Sequence, residues 1–402
     1  MNYSKRFLFG ICKCLTALSA ISNAHADDEF PRSTREMAAE AIKYSQLQQN
    51  WVFSPLSANA CLSMAYAGSD GRTADELLRA LFLTSDQNLI GKTFNSFAHN
   101  LMHQPAYTND FTLNIAQGLW SQSNFSFLDQ YMTSMHNDFE AMIESVDFSL
   151  STIDHINKWF ADQTQQKIKK LFNPGDIDSS TRLVLGNALY FKGSWTHQFK
   201  KENTKPQPFT LSSDQVAQVQ MMDQTETMGY FEDSDWQAVS LTFQKSWTAP
   251  AAPACVLLLP KKNQPLTAEK IEEILNSFEW HRVHLQVPKF TFDKHFDLQQ
   301  FLQSLGVSDA FTPSANFSKM DGRLDLYIST VVQKCFFALD EQGVEAAAAT
   351  GAVMNCTCCK PFGNPPIEFI ANRPFEFLLI DQTSNTCLMV GHVADPLGAV
   401  KQ

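Results

Sequence analysis

Hydrophobic and polar positions change rhythm about halfway along the chain. In the N-terminal part the apolar residues recur at helical spacing: Ile153, Ile156, Trp159 and Phe160 share one stripe, with Lys158, Asp162 and Gln163 turned outward. Ser33-Thr-Arg-Glu36 ahead of MAAEAIKYSQ and Thr73-Ala-Asp-Glu76 opening TADELLRALFL read as capping boxes, in which a hydroxyl and a carboxylate satisfy free helix N–H groups. Helices are therefore expected to start at Ser33 and Thr73.

Strands take over further on. FTLNIAQGLW places Phe111, Leu113 and Ile115 on one face, while RLVLGNALYF, from Arg182 to Phe191, is apolar nearly throughout and predicts a central strand buried on both faces. VLLLP, VHLQVPKFTF, LYISTVVQKCFFAL, PIEFIA and FEFLLI follow. No repeat period and no flexible linker divides the chain, so the pattern predicts one mixed domain over residues 27–402.

Composition sharpens this picture at the N-terminus. Lys5 and Arg6, an apolar run to about Ile21 and the small-residue signature Ala24-His25-Ala26 predict a secretory signal peptide over residues 1–26, cut before Asp27. The expected location is extracellular or periplasmic. Losing that segment removes Lys5, Arg6 and Lys13, which leaves 28 basic residues of the original 31 against 42 acidic ones, a charge of about −14. Nucleic acid and anionic membranes are excluded as expected partners, because both need clustered Lys and Arg.

The chemistry of catalysis is not visible. GxSxG, HExxH, P-loop and GxGxxG signatures are missing, and no nucleophile can be paired with a base, so an enzyme is not expected. His281 and His284, three apart beside a predicted strand, point to opposite faces and do not suggest a shared metal; they read as surface or packing histidines. Of seven cysteines beyond the signal, Cys61, Cys255, Cys335 and Cys387 lie in apolar contexts that predict small buried hydrophobes. Cys356, Cys358 and Cys359 lack a fourth ligand at finger-like spacing, so neither a metal nor a cofactor is expected.

Those three cysteines end an unusual stretch, EQGVEAAAATGAVMNCTCC, residues 341–359. Read with period two, Val344, Ala346, Ala348, Thr350, Ala352 and Met354 form a face with no charge, and no proline interrupts hydrogen bonding before Cys359. A strand buried on that face is possible. Four alanines equally favour a short helix, so composition leaves loop, helix and strand open.

NWVFSPLS from Asn50 to Ser57, NALYFKGSW from Asn187 to Trp195 with Phe199 after it, and Val287-Pro288-Lys289 occur in an order that resembles the serpin family. Leu305-Gly306, Ala310-Phe311, Asn372-Arg-Pro374-Phe375, Gly391-His-Val and Pro396 continue the resemblance to the end. Glu341-Gln-Gly343-Val344-Glu345-Ala346-Ala347-Ala348-Ala349-Thr350 is similar to the hinge of serpins that inhibit proteases. The resemblance implies an α+β fold with three sheets, about nine helices and an exposed reactive centre loop at about residues 341–369. It also implies a monomeric, metastable suicide-substrate inhibitor. A protease attacks the loop, an acyl-enzyme forms, and the freed hinge inserts as a new strand of the large sheet before deacylation.

By the same resemblance, Trp195, Lys289 and Glu341 line the top of the sheet where insertion begins, with Lys289 and Glu341 paired. Ser54, Ser57 and Asn187 form a central polar cluster over which the strands part. Gln333 stands where family members often carry His; it hydrogen-bonds but cannot ionise, so one source of pH sensitivity is expected to be missing.

Counting fifteen residues from Gly343, as the family spacing implies, puts the scissile bond at Thr357-Cys358, with Asn355, Cys356, Cys359 and Lys360 as neighbouring specificity positions. The register can slip to Cys356, Cys358 or Cys359. Lys360 ranks below them because Pro361 follows it. A small side chain suits the shallow pocket of an elastase-like serine protease, with papain-like cysteine proteases second. A non-inhibitory carrier or chaperone is the alternative; such hinges tend to carry charge or bulk where this chain has Ala346 to Ala349.

Overall fold

The computed structural model describes residues 29–45, 49–102, 111–245, 253–262, 264–344 and 365–398. The signal segment, hinge positions Glu345 to Thr350 and the bait residues Asn355 to Lys360 lie outside the described residues. Among the described residues the fold is α+β, with nine α-helices and fifteen strands.

Two hydrogen-bonded networks hold those strands. The nine-stranded one runs β1 (Trp51–Phe53), β15 (Thr386–Val393), β14 (Phe375–Asp381), β8 (Pro253–Pro260), β7 (Trp236–Thr242), β6 (Val216–Glu232), β9 (Glu279–Pro288) and β13 (Ile367–Ile370), with β5 (Lys205–Thr210) on β6. Strand β6 is long enough to serve two sheets: Met221–Tyr230 pairs with β9, and Gly229–Glu232 with β7. The family's three sheets thus appear as two joined through β6 and one separate.

The separate sheet carries β10 (Phe290–Phe296), β11 (Ile328–Leu339), β4 (Leu183–Ser194), β2 (Phe111–Gln122) and β3 (Met142–Val146), with the short β12 (Gly343–Val344) between β11 and β4. As its apolar run predicts, β4 is central: β2 pairs antiparallel on one side and β11 parallel on the other. A core of aromatic side chains packs between the layers, where Phe337 stacks on Phe377 at 4.3 Å.

Helix Pro55–Ala67 lies behind the central strands and packs on β4, β2 and β15. Ser54 starts it by accepting from the Ser57 N–H, and Pro55 occupies the first turn, where its missing N–H costs nothing. This helix is apolar or small nearly all round, so almost every residue is buried.

Both expected capping boxes fail. The first helix covers 29–44, with Ser33 inside it, and the second is Gly71–Ala80. The polar groups are spent on tertiary contacts instead: Ser33 Oγ donates to the Leu81 carbonyl, and the buried Glu76 carboxylate accepts from the Ser308 and Asp309 N–H groups. The helical stripe of Ile153, Ile156, Trp159 and Phe160 lies in helix Leu150–Gln163, where Lys158 and Asp162 pair outside at 2.7 Å. Cys61, Cys255, Cys335 and Cys387 are all buried free thiols.

Candidate functional site: the top and centre of the large sheet

Strands β11 and β4 run side by side from Ile328/Leu183 to Cys335/Leu189. Above that point β12 enters between them, Val344 facing Leu339 on β11 and Gly193 on β4. Gly343 and Val344 therefore already occupy the slot between the two strands. Gly343 permits this, because a Cβ there would lie 2.0 Å from the Gly193 carbonyl oxygen and 2.8 Å from Ser194 Cα, backbone atoms that have no room to yield.

The residues around the slot hold it at its upper end. Trp195 is 1 % exposed, stacks on Phe243 at 4.6 Å, and donates from Nε1 to the Asp340 carbonyl at 2.9 Å. Its backbone N–H donates to the Gln342 carbonyl, and the Phe199 N–H to that of Glu341. Asp340 Oδ1 accepts from the Gln342 and Gly343 N–H groups and closes the turn into β12.

Lys289 and Glu341 meet as expected, at 2.8 Å, and Thr204 Oγ1 donates to the other carboxylate oxygen at 3.1 Å. Burial alone would raise the Glu341 carboxyl. The Lys289 ammonium, a backbone N–H and the Thr204 hydroxyl outweigh it and hold the group below the ordinary glutamate value.

The polar cluster sits lower, in the middle of the sheet. Gln333 grips the chain at Ser54 with both ends of its amide, Oε1 accepting from the Ser54 N–H and Nε2 donating to the Ser54 carbonyl, each at 2.9 Å. Ser54 Oγ donates to the Leu388 carbonyl and accepts from the Ser57 N–H. Asn187 lies opposite Gln333 across the β4–β11 pairing, fully buried, with no nitrogen or oxygen partner on either end of its amide among the described residues. The Ser57 hydroxyl is likewise buried and unpartnered. Burial pushes the neighbouring Cys61 thiol up to about 12, partly offset by the Asn187 amide, so it stays protonated.

One arrangement escaped the sequence reading. His284, on β9, stands between Glu368 of β13, 2.8 Å from Nδ1, and Asp223 of β6, 3.2 Å from Nε2. It joins three strands rather than merely packing. Burial would lower its pKa, but the two carboxylates prevail and raise it. Among the described residues β13 is an edge strand of four residues on β9, and this trio fastens it there. His281 points elsewhere, toward Glu279 and Tyr230.

Comparison with known proteins gives this geometry its context. The family model described as Serpin (serine protease inhibitor) matches residues 34–396. The chain is 34% identical over 365 residues to the leukocyte elastase inhibitor of Bos taurus, covering 86% of this chain and 93% of that one. It is 32% identical to serpin B10 of Papio anubis, over 92% of this chain and 100% of the other. Among solved structures it is similar to a thermophilic serpin, tengpin, in the native state, with a TM-score of 0.82 and 27% identity over 92% of this chain and 94% of that one. With a family match from residue 34 to residue 396 and relatives 32–34% identical over most of its length, the chain belongs to the serpin family.

Proposed function

We propose that this protein is a secreted, monomeric suicide-substrate inhibitor of proteases, and that its first target class is the elastase-like serine proteases. The observation that carries the reading is β12, which sits between β11 and β4 in the register a longer insertion needs. Gly343 faces Ser194 and Val344 faces Gly193, so each further loop residue moves one place back along β4. On β11 the same step applies from Leu339.

Continued in that register, Thr350 comes to rest between Asn187 and Gln333, and Met354 reaches Leu183, the first residue of β4. The lower strands already fit this scheme, since β11 and β4 keep one offset from Thr330/Val184 to Cys335/Leu189. A loop cut at Thr357-Cys358 is therefore long enough to fill the sheet. The Thr350 hydroxyl, a donor and acceptor, would supply the unpartnered Asn187 amide. The charge-free face of Val344, Ala346, Ala348, Thr350, Ala352 and Met354 meets the requirement that an inserting strand bury no unpaired charge.

In the reaction, the protease serine attacks the carbonyl carbon of the bait residue, the peptide C–N bond breaks, and the new amino terminus at Cys358 leaves with β13. Insertion then carries the acylated protease away before water reaches the ester. Support for the elastase class comes from the small side chains around Thr357 and from the name of the Bos taurus relative.

Incubation with a panel of serine and papain-like cysteine proteases tests this directly. An elastase-like enzyme is expected to give a complex that survives boiling in SDS, and mass spectrometry of the released fragment is expected to start at Cys358. Clean cleavage by every protease, with no covalent complex, would sink the inhibitor reading. N-terminal sequencing of the exported protein, expected to begin at Asp27, tests secretion.

A further inference from the structure

Away from the slot, helix Ile90–Met102, helix Asp129–Phe139 and strand β2 enclose an open-mouthed cavity of about 280 Å³. Phe94, Phe139 and Ile115 make its apolar walls. Four amide residues line it as well, Asn95, Asn114, Gln117 and Gln163, and three of them donate an N–H to a backbone carbonyl: Asn95 to Asn137, Asn114 to Gln163, and Gln117 to Phe139. Each of the three keeps one further N–H and its carbonyl oxygen, an acceptor with two lone pairs. The case of Gln117 is sharpest, since it is 5 % exposed and its carbonyl oxygen is buried without a partner among the described residues.

Charge points the same way. Asp138 and Glu140 both line the cavity, and Glu140 is exposed to solvent at the left-handed end of its helix. Among the described residues lining it there is no Lys or Arg, and His99 alone can carry a positive charge. A guest that brings a hydrogen-bond donor and a positive charge complements the two acids and the Gln117 oxygen, and its body can rest on the apolar walls. We propose that this cavity binds a small organic ammonium compound, a primary amine on a body of one or two rings. The volume suits such a compound, and it falls below the usual range of sites for larger ligands. This proposal is independent of the inhibitory reading, because it concerns neither the loop nor the slot.

Isothermal titration of the intact protein with phenethylamine, phenethyl alcohol and 3-phenylpropionate tests it. The amine is expected to bind at least about tenfold more tightly than the alcohol, and the propionate not measurably. An Asp138→Asn, Glu140→Gln variant, altered only at half-buried and exposed positions, is expected to lose about tenfold for the amine while the alcohol is unchanged. Ala98→Leu, which fills the cavity, is expected to abolish both. If the amine binds these variants as well as the parent, it is collecting on the acidic surface and the site is refuted. Equal binding of amine and propionate, or no heat at millimolar amine, also overturns it. So does a lysine-containing peptide that binds where phenethylamine does not, which would make the cavity a protein-docking point.

Discussion

The loop joins the body at two places that are built in opposite ways. At its start, Glu341 to Val344 are buried or nearly so, lie inside the central sheet and are held by an aromatic stack, backbone bonds and the Lys289–Glu341 pair. At its end, Ile367–Ile370 forms an edge strand with a single neighbour among the described residues, fastened by His284 to a Glu368 side chain that is 62% exposed. Under the proposed mechanism the first junction is where an insertion would deepen, and the second is the anchor that would stay in place when the loop is cut. Their ion pairs also respond to pH in opposite directions, because one depends on a carboxylate held ionised and the other on an imidazole held protonated.

The largest effect is expected at the first junction. Thr350→Arg would bring a guanidinium between the buried amides of Asn187 and Gln333, neither of which can neutralise its charge. An unpaired buried charge costs about 3–5 kcal/mol, enough to slow insertion behind deacylation. The variant is expected to be cleaved as a substrate, with the yield of covalent complex falling about tenfold or more. An undiminished yield would show that insertion does not pass this point.

How much of this comparison can be read from residues alone differs between the junctions. Trp195, Lys289, Glu341, Ser54, Asn187 and Gln333 stand in long motifs, so the resemblance carried them and the structure brings them together as two groups. The His284 trio is invisible at that level, because its partners lie 61 and 84 residues away and no local pattern marks them. The false capping boxes teach the same lesson from the other side. A hydroxyl and a carboxylate three apart are a local sign, but Ser33 and Glu76 are taken by distant carbonyl and N–H groups once the core forms. The central strand β4 was legible because burial on both faces leaves a continuous apolar run.

Cutting the loop separates the two junctions and should reveal their difference in stability. Once severed near Thr357, the first segment is free to continue into the slot while β13 stays on β9. The melting temperature of the cleaved protein is expected to rise by roughly tens of degrees, since a completed central strand adds ladder bonds and buried apolar area on both faces. Calorimetry before and after a single cut measures it. Equal curves would mean that β12 marks the limit of insertion, as in a carrier.

A smaller effect is expected when the first junction is titrated. The Glu341 carboxyl is held below its ordinary value, so its contribution is complete above the unfolded-state pKa of 4.5 and is lost as pH falls through the lowered folded value. Acid should therefore loosen Glu341–Val344 first. Amide exchange at these residues, corrected for intrinsic rates, is expected to quicken below about pH 4.5 in the parent and to be quick at all pH values in Glu341→Gln. A parent profile that stays flat to pH 3 would remove the pair as the holding element.

The second junction should give the smallest change, and of opposite sign. His284 has its pKa raised, so its contribution is complete below the unfolded-state value of 6.5 and is lost as pH rises through the raised folded value. The facing groups are Asp223 from β6 and Glu368 from β13, with Gln286 of the same strand donating to Asp223. Deprotonation leaves the two carboxylates beside a neutral ring that can donate to only one of them, and β13 keeps its backbone pairing with β9. A severalfold rather than complete loss of protection is expected at Ile367–Ile370 above neutral pH, with Glu341–Val344 unchanged over the same range. His284→Gln, which retains a hydrogen-bond donor but cannot ionise, should show the faster exchange at every pH and lose the alkaline step. If instead both junctions loosen together as pH rises, the anchor and the hinge are one cooperative unit, and the opposition between the two ends of the loop does not exist.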